Sequence, residues 1–286
     1  EFLNEVSEGL FKDDVTVSVN RELLSGKYDA ILSIGQVVPH ELAGMAGYTK
    51  NLLVGCGGGE MINVSHFLGV FYGRHRIVGE MNTPPRRLFD YAQKNMLDVL
   101  PITFVLTVMD QDNGQDIYKG IFLSKERDAF EQAVELSRKV NINHVEKPIK
   151  KCVVWMDPHS YHSTWVTNKA VYRTQRALAE DGEVIVIAPG LHTFGENDLA
   201  DQMIRKYGYR GRLQILQDFK ENEDLQQNMG AAAHLIHGSS DGRFTITYAV
   251  KNISREEVEG VGFSAADYDE QAARYDPEKL AYGYNT

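Results

Sequence analysis

The chain has 286 residues, 43% of them hydrophobic and 24% charged. That is ordinary for a globular protein with ample core, in one large or two ordinary domains. The formal net charge of −10, from 30 basic and 40 acidic residues, argues against nucleic acid or an anionic membrane as partner. No apolar run approaches the roughly 20 residues that span a bilayer. Glu1-Phe2-Leu3-Asn4 lacks the basic and apolar regions of a signal peptide. The two cysteines, Cys56 and Cys152, exclude a disulfide framework and point to the reducing cytoplasm.

In chain order, the alternation over residues 15–20 predicts a strand, and residues 20–24 a capped helical turn. The apolar run at 28–34 predicts a buried strand. After it come Pro39-His40, a small-residue turn over 43–47, Lys50, four glycines within 55–59, and His66. Glycines tolerate φ > 0 and close backbone approach. Loops held by a rigid strand concentrate binding and catalytic residues. The spacing fits neither a zinc pattern, a Walker A loop nor GxGxxG. A helix is expected over 62–72.

Pro84-Pro85 predicts a helix start, with Leu88, Tyr91, Ala92, Met96, Leu97 and Leu100 at helical spacing until Pro101. Residues 102–109 read as a buried strand, returning through a turn over 110–116 as a hairpin. The Asp-x-Asp-x-Gly portion of that turn is no calcium loop, because Ile121 occupies the twelfth position. Ser124 is expected to cap a helix through Val140. The polar stretch 141–151 marks a boundary near residue 148, giving domains 1–148 and 149–286.

In the second half, strands are expected at 152–156, 183–188 and 244–250. They alternate with helices at 167–180, 197–207, 221–236 and from Ser254, where Ser254 and Glu257 form a capping-box pattern. Such alternation indicates a layered, mostly parallel sheet. His159, His162 and His192 follow strands, at the carboxyl ends where ligands bind such sheets. The expected fold class is α/β: two α/β domains with a cleft between them, trimmed at both ends from a longer protein.

The segment from Ile34 to Lys50, Ile-Gly-Gln-Val-x-Pro-His-Glu-x-Ala-Gly-Met-x-Gly-Tyr-x-Lys, with His66 sixteen residues further on, resembles the active-site signature of the lactate racemase family. The resemblance implies a racemase or epimerase of a small 2-hydroxy acid, lactate-like or a sugar acid, dependent on a nickel-pincer nucleotide. It implies His40 as a catalytic acid/base, Lys50 as the covalent tether of that cofactor, and His66 as the ligand to nickel. Gly44 and Gly47 would belong to the cofactor-binding turn. Lys169 matches a substrate-side lysine of the family, since it precedes Gly182 and the run Glu-Val-Ile-Val-Ile-Ala. The family's preceding Tyr-Gln pair is replaced by Trp165-Val166. Family members carry a further N-terminal segment with a second catalytic histidine and an arginine. The chain alone is therefore expected not to racemise. Two other readings stand beside this one: a divalent-metal hydrolase using His40 and His66, and an inactive ligand-binding fragment. The residues give neither the substrate nor the oligomeric state.

Overall fold

A computed structural model describes residues 1–6, 9, 14–72, 77–112 and 115–280. It divides into two compact units, Glu1–His144 and Val145–Thr286.

The first unit contains α1 (Phe2–Val6), β1 (Ile31–Gln36), β2 (Pro39–His40), β3 (Gly44–Met45), α2 (Gly59–Tyr72), α3 (Pro84–Met96), β4 (Ile102–Asp112), β5 (Gln115–Ser124) and α4 (Arg127–Asn141). Its main sheet has the order β1-β4-β5. β1 pairs with β4 in parallel, Ile31 opposite Ile102 through Gln36 opposite Thr107, and β5 returns antiparallel to β4. Helix α4 packs on β4 and β5. Ile102, Phe104, Leu106 and Val108 alternate inward and are buried, as period-two geometry requires of one sheet face.

Four expectations change here. Residues 15–20 form no strand, only an isolated bridge of Val19 to Gly57. β1 is an edge strand with one open face, so Leu32 and Ile34 are exposed rather than buried. α3 stops at Met96, one turn early, although Leu97 and Leu100 are still buried. α4 begins at Arg127 behind Glu126, and the Ser124 hydroxyl instead accepts the Glu126 N–H at 2.9 Å. The hairpin stands, with strands that run on to Asp112 and from Gln115; residues 113 and 114 of its turn lie outside the described residues.

The second unit contains β6 (Ile149–Trp155), α5 (Thr164–Thr167), α6 (Lys169–Thr174), β7 (Leu178–Ile187), α7 (Asp198–Tyr207), α8 (Arg212–Glu221), α9 (Glu223–Gln226), α10 (Met229–His237), β8 (Phe244–Ala249), α11 (Arg255–Gly260), β9 (Ser264–Ala266) and α12 (Tyr268–Arg274). The sheet order is β6-β7-β8-β9, and every pairing is parallel. Val184, Val186 and Ile187 are fully buried, as parallel strands covered on both faces are. The capping box at Ser254 and Glu257 forms as its spacing predicts.

Residues 167–180 are not one helix. α6 ends at Thr174, and Leu178 already pairs with Ile149 in the sheet. The strand then bulges through Asp181, at φ 57°, before Glu183 pairs with Lys151. Residues 221–236 are likewise broken, by extended backbone at Asn222 and a non-helical Asn228. α8, β9 and α12 had no sequence forecast.

Candidate active site

β1 leads into the hairpin β2–β3, in which Pro39 pairs with Met45 and His40 with Gly44. His40 lies at the hairpin's start. Its Nδ1 accepts the backbone N–H groups of Leu42, at 3.1 Å, and Ala43, at 3.2 Å. Burial lowers the ring's pKa to about 4, with the Lys50, His66 and Arg86 charges adding to the fall and Glu41 opposing it.

Gly44 sits at φ +83°, and a Cβ there would lie 2.0 Å from the Glu80 carbonyl oxygen. Gly57 is equally constrained, since its Cβ would meet the Leu53 oxygen at 1.9 Å. These glycines permit backbone packing. Gly44 and Gly47 lie in the turn between His40 and Lys50, but neither lines the pocket described below.

The turn before Lys50 is fixed from several sides. Tyr48 adopts φ 58°, a left-handed backbone rare for a bulky residue. Its buried ring stacks on Phe130 at 5.1 Å between centroids and tilts against Phe104 at 4.5 Å. The Thr49 hydroxyl donates to Asp90 at 2.6 Å and accepts from Arg86 at 2.9 Å. Arg86 is completely buried and also donates to the Met45 oxygen at 2.6 Å and the Gly47 oxygen at 3.2 Å. Its guanidinium lies over the Phe130 ring, and Asp90 forms an ion pair with Arg127. Strained backbone persists only where its surroundings over-determine it, and this turn meets that condition.

Lys50 follows at the head of a π-helical turn, Asn51–Gly55, a local form that recurs at functional sites. The residue is half-buried, and among the described residues its amine has no ion pair. Burial and then the Arg86 cation lower its pKa, against Glu41. Those conditions favour a neutral, nucleophilic amine.

His66 lies in α2. Its Nδ1 is 2.6 Å from the Ile62 carbonyl oxygen, one turn back. A carbonyl can only accept, so Nδ1 carries the hydrogen and Nε2 keeps its lone pair. Metal-bound histidines are held by such a bond from the other ring nitrogen. Burial lowers this ring's pKa too, against the Ile62 bond.

His40, Lys50 and His66 line one small pocket with Leu42, Ala43, Val54, Ser65, Pro85 and Phe89, about 170 Å³ of empty space. A larger open hollow, lined by Tyr72, Glu80, Met81, Asn82 and Arg138, contains none of the three. The sequence reading missed Arg86, Tyr48 and the Thr49–Asp90 pair. The signal for Arg86 was a cation directly after Pro84-Pro85, on the helix face that Phe89 buries.

Lys169 stands in the second unit, half-buried at the start of α6. Asn168 before it accepts the buried Tyr248 hydroxyl at 2.7 Å. His159, His162 and His192 are exposed. The His162 and His192 rings are 5.3 Å apart, and both Nδ1 atoms face the Gly190 oxygen, at 3.3 and 3.1 Å. Among the described residues no helix is long and apolar enough to cross a membrane.

Residues 5–77 match the family of the lactate racemase N-terminal domain. No curated protein matches the chain. A crystal structure of a Thermotoga maritima protein is similar over 98% of this chain and 68% of its own, with 24% identity and a TM-score of 0.81. The lactate racemase apoprotein from Thermoanaerobacterium thermosaccharolyticum is similar over 91% of this chain and 60% of its own, with 16% identity and a TM-score of 0.68. Residues 5–77 thus resemble the lactate racemase N-terminal domain, and the chain shares the fold of the lactate racemase apoprotein.

Proposed function

We propose that the chain is the nickel-pincer-bearing part of a racemase or epimerase that inverts the 2-carbon of a small 2-hydroxy acid. One observation carries the reading: His40, Lys50 and His66 converge on a single pocket with their ring nitrogens and amine already prepared. His66 presents a lone pair, as a metal ligand must, and imidazole suits nickel. Lys50 presents a partly desolvated amine that forms no ion pair among the described residues, as suits a covalent tether. The side chains around the pocket are close-packed, so binding a group there requires them to move apart.

When bound, the group supplies a hydride acceptor and donor beside the reacting carbon. The chain's own part is to hold that group through Lys50 and His66 and to set His40 against the oxygen on the reacting carbon. Inversion then needs the planar 2-oxo acid to be approached from its other face. Lys169, beside the Asn168 anchor of the second unit, is proposed as a substrate-side lysine, as the family resemblance implies. The compartment is proposed to be cytoplasmic, from the two free cysteines.

A plain divalent-metal hydrolase needs three protein ligands. Among the described residues no group of three or more His, Cys, Asp or Glu comes together to supply them.

The test is intact mass and metal content after expression with enzymes that make the cofactor. The expected result is an adduct on Lys50 together with nickel. Lys50→Ala should lose the adduct on denaturation. His66→Ala should keep the adduct but lose or loosen nickel. His40→Ala should load fully, while a longer protein containing this chain should racemise about 10²–10⁴-fold more slowly with that change. An adduct that survives denaturation in Lys50→Ala would overturn the assignment. Unmodified wild-type protein without nickel would support the ligand-binding fragment instead.

A further inference from the structure

The sheet of the first unit is covered on one face. Ile102, Phe104 and Leu106 point into that face, where α4 packs on β4 and β5. The opposite face carries Leu32 and Ile34 of β1, Val105 and Thr107 of β4, and Ile121 and Leu123 of β5. The register brings them together: Ile34 lies opposite Val105, Val105 opposite Leu123, and Thr107 opposite Ile121. Directly opposed strand residues share a face. Leu32, Ile34, Ile121 and Leu123 are 62, 69, 55 and 63% exposed. None of residues 31–36, 102–107 and 121–124 is charged. Single exposed apolar residues are ordinary on a protein surface, but a contiguous block of them marks an interface.

The edge of the same sheet is open as well. β1 is outermost in the order β1-β4-β5. The Ile31 and Val37 N–H groups donate to the Pro101 and Thr107 oxygens, at 2.9 and 2.8 Å. Backbone directions alternate along a strand, so the N–H and C=O groups of Leu32 and Ile34 point away from β4. Proteins blunt such an edge with charge, proline or a bulge, or they cover it. β1, Ile-Leu-Ser-Ile-Gly-Gln, has neither charge nor proline. It runs parallel to β4, the arrangement that is ordinarily covered on both faces.

We propose that this face and edge are the docking surface for the polypeptide that the longer relatives carry outside the fold they share with this chain: a strand pairing along β1, and an apolar layer over the face. The two similar solved structures point to that occupant. They match 98% and 91% of this chain but only 68% and 60% of their own. About a third of one and two-fifths of the other therefore lies outside the shared fold. An uncharged face beside an unpaired edge has the character of a domain core without its second layer. Pairing along β1 gives Leu32 and Ile34 backbone partners, and apolar side chains above give the face its contacts. β1 leads directly to Pro39-His40, so docking also steadies the strand that feeds the candidate site. The inference does not depend on the cofactor reading.

The experiment compares this chain with a longer protein that contains both it and the additional polypeptide. Amide exchange is read residue by residue by NMR. In the dilute chain the Leu32 and Ile34 amides should exchange fast, and the Ser33 and Gly35 amides, which face β4, slowly. In the longer protein the Leu32 and Ile34 amides should exchange about a hundredfold or more slowly than in the chain. Equal rates in the two proteins would overturn the proposal. Slow exchange at both amides already in the dilute chain would overturn it too, because the chain's own residues would then cover the edge. Protection in the longer protein that disappears on dilution would overturn it in favour of a second copy.

The second arm uses Ile34→Lys and Leu123→Lys. Both side chains are exposed in this chain, so its urea midpoint should stay unchanged and its binding of anilinonaphthalene sulfonate should fall. In the longer protein the same charges would be buried. Its midpoint should drop, and the additional polypeptide should become open to protease. Failure of the longer variant to fold while the short one folds is the same result in its extreme form. A longer protein whose midpoint and protease resistance ignore both substitutions would overturn the proposal.

Discussion

Both units carry histidines in loops that follow a parallel strand, yet the two loops are built on different physics. In the first unit His40 and His66 are withdrawn from solvent, and each ring has one nitrogen engaged by backbone at hydrogen-bonding distance. In the second unit His159, His162 and His192 are exposed, and the ring nitrogens of His162 and His192 face carbonyls of their own loops. What separates them lies beneath the loop. Under residues 43–50 runs a completely buried arginine, tied to Met45, Gly47 and Thr49. Under residues 157–162 the main support is Asp157, an exposed carboxylate that caps its own turn at the His159 N–H and the Ser160 hydroxyl. A histidine acquires a defined chemical role when the structure decides which nitrogen holds the hydrogen; the first loop decides it for His40, whereas His162 meets a carbonyl at each nitrogen.

The largest expected effect comes from removing that support. Arg86→Met would leave the Met45 and Gly47 oxygens and the Thr49 hydroxyl without their buried donor. We expect a loss on the order of 3–5 kcal/mol, measured as a lower urea midpoint of the first unit by hydrogen exchange. A matching loss of His40's Nε2–H tautomer should accompany it. A variant with unchanged midpoint would show that the turn holds itself and would break the contrast.

Acid should separate the two units next. His40 titrates near 4 in the folded chain and at 6.5 when unfolded, because burial disfavours its charged form. The unfolded chain therefore takes the proton first. This contribution is complete above about pH 6.5 and is lost as pH falls towards 4, a drop on the order of 1–3 kcal/mol. His66 shifts in the same direction. In the second unit Asp201 is held at about 2: burial pushes it up, but Arg205, Thr193 and the Phe194 and Gly195 N–H groups outweigh that. Its contribution is present above about 3.8 and is lost only as pH falls towards 2. Exchange protection should thus fall in the first unit between pH 6.5 and 4 and in the second below 4. Simultaneous loss, or an unchanged slope in His40→Gln, would contradict the assignment.

Thr49→Val should cost less, about 1–2 kcal/mol, by leaving one Asp90 oxygen and one Arg86 N–H unpaired. The Lys50 amine reports the same change through a second readout. Its labelling rate by an acylating reagent should fall if the turn no longer holds it in the pocket. An unchanged rate with lowered stability would limit Thr49 to packing.

The strand-led loops and the parallel second sheet were legible because period-two and apolar-run patterns follow directly from burial. The three pocket residues stood out by motif. Their tautomers did not, since these depend on which backbone atoms meet the ring. Arg86 was hidden for a related reason: its partners are carbonyls about forty residues earlier, which leave no mark in residue identity. The break at Thr174 failed for another reason. Helical spacing over 167–180 was real, but pairing of Leu178 with Ile149 claimed the end of the segment for the sheet. Tertiary contacts overrode local pattern there, as they do wherever propensities are weak.

The smallest effect is expected in the second unit's histidine loop. His162 Nε2 lies 3.1 Å from the His159 oxygen and its Nδ1 3.3 Å from the Gly190 oxygen. A neutral ring has one N–H, so it can satisfy only one of these carbonyls at a time. Both are near solvent, and water replaces the lost donor at little cost. His162→Ala and His192→Ala should each change the urea midpoint by no more than about 0.5 kcal/mol, as exposed substitutions away from special features do. The double variant should depart from the sum of the two single effects, because the rings lie 5.3 Å apart and share an acceptor oxygen at Gly190. A cost of several kcal/mol would mean that this loop is organised around a ligand of its own, and the contrast between a buried, decided site and an open, undecided one would fail.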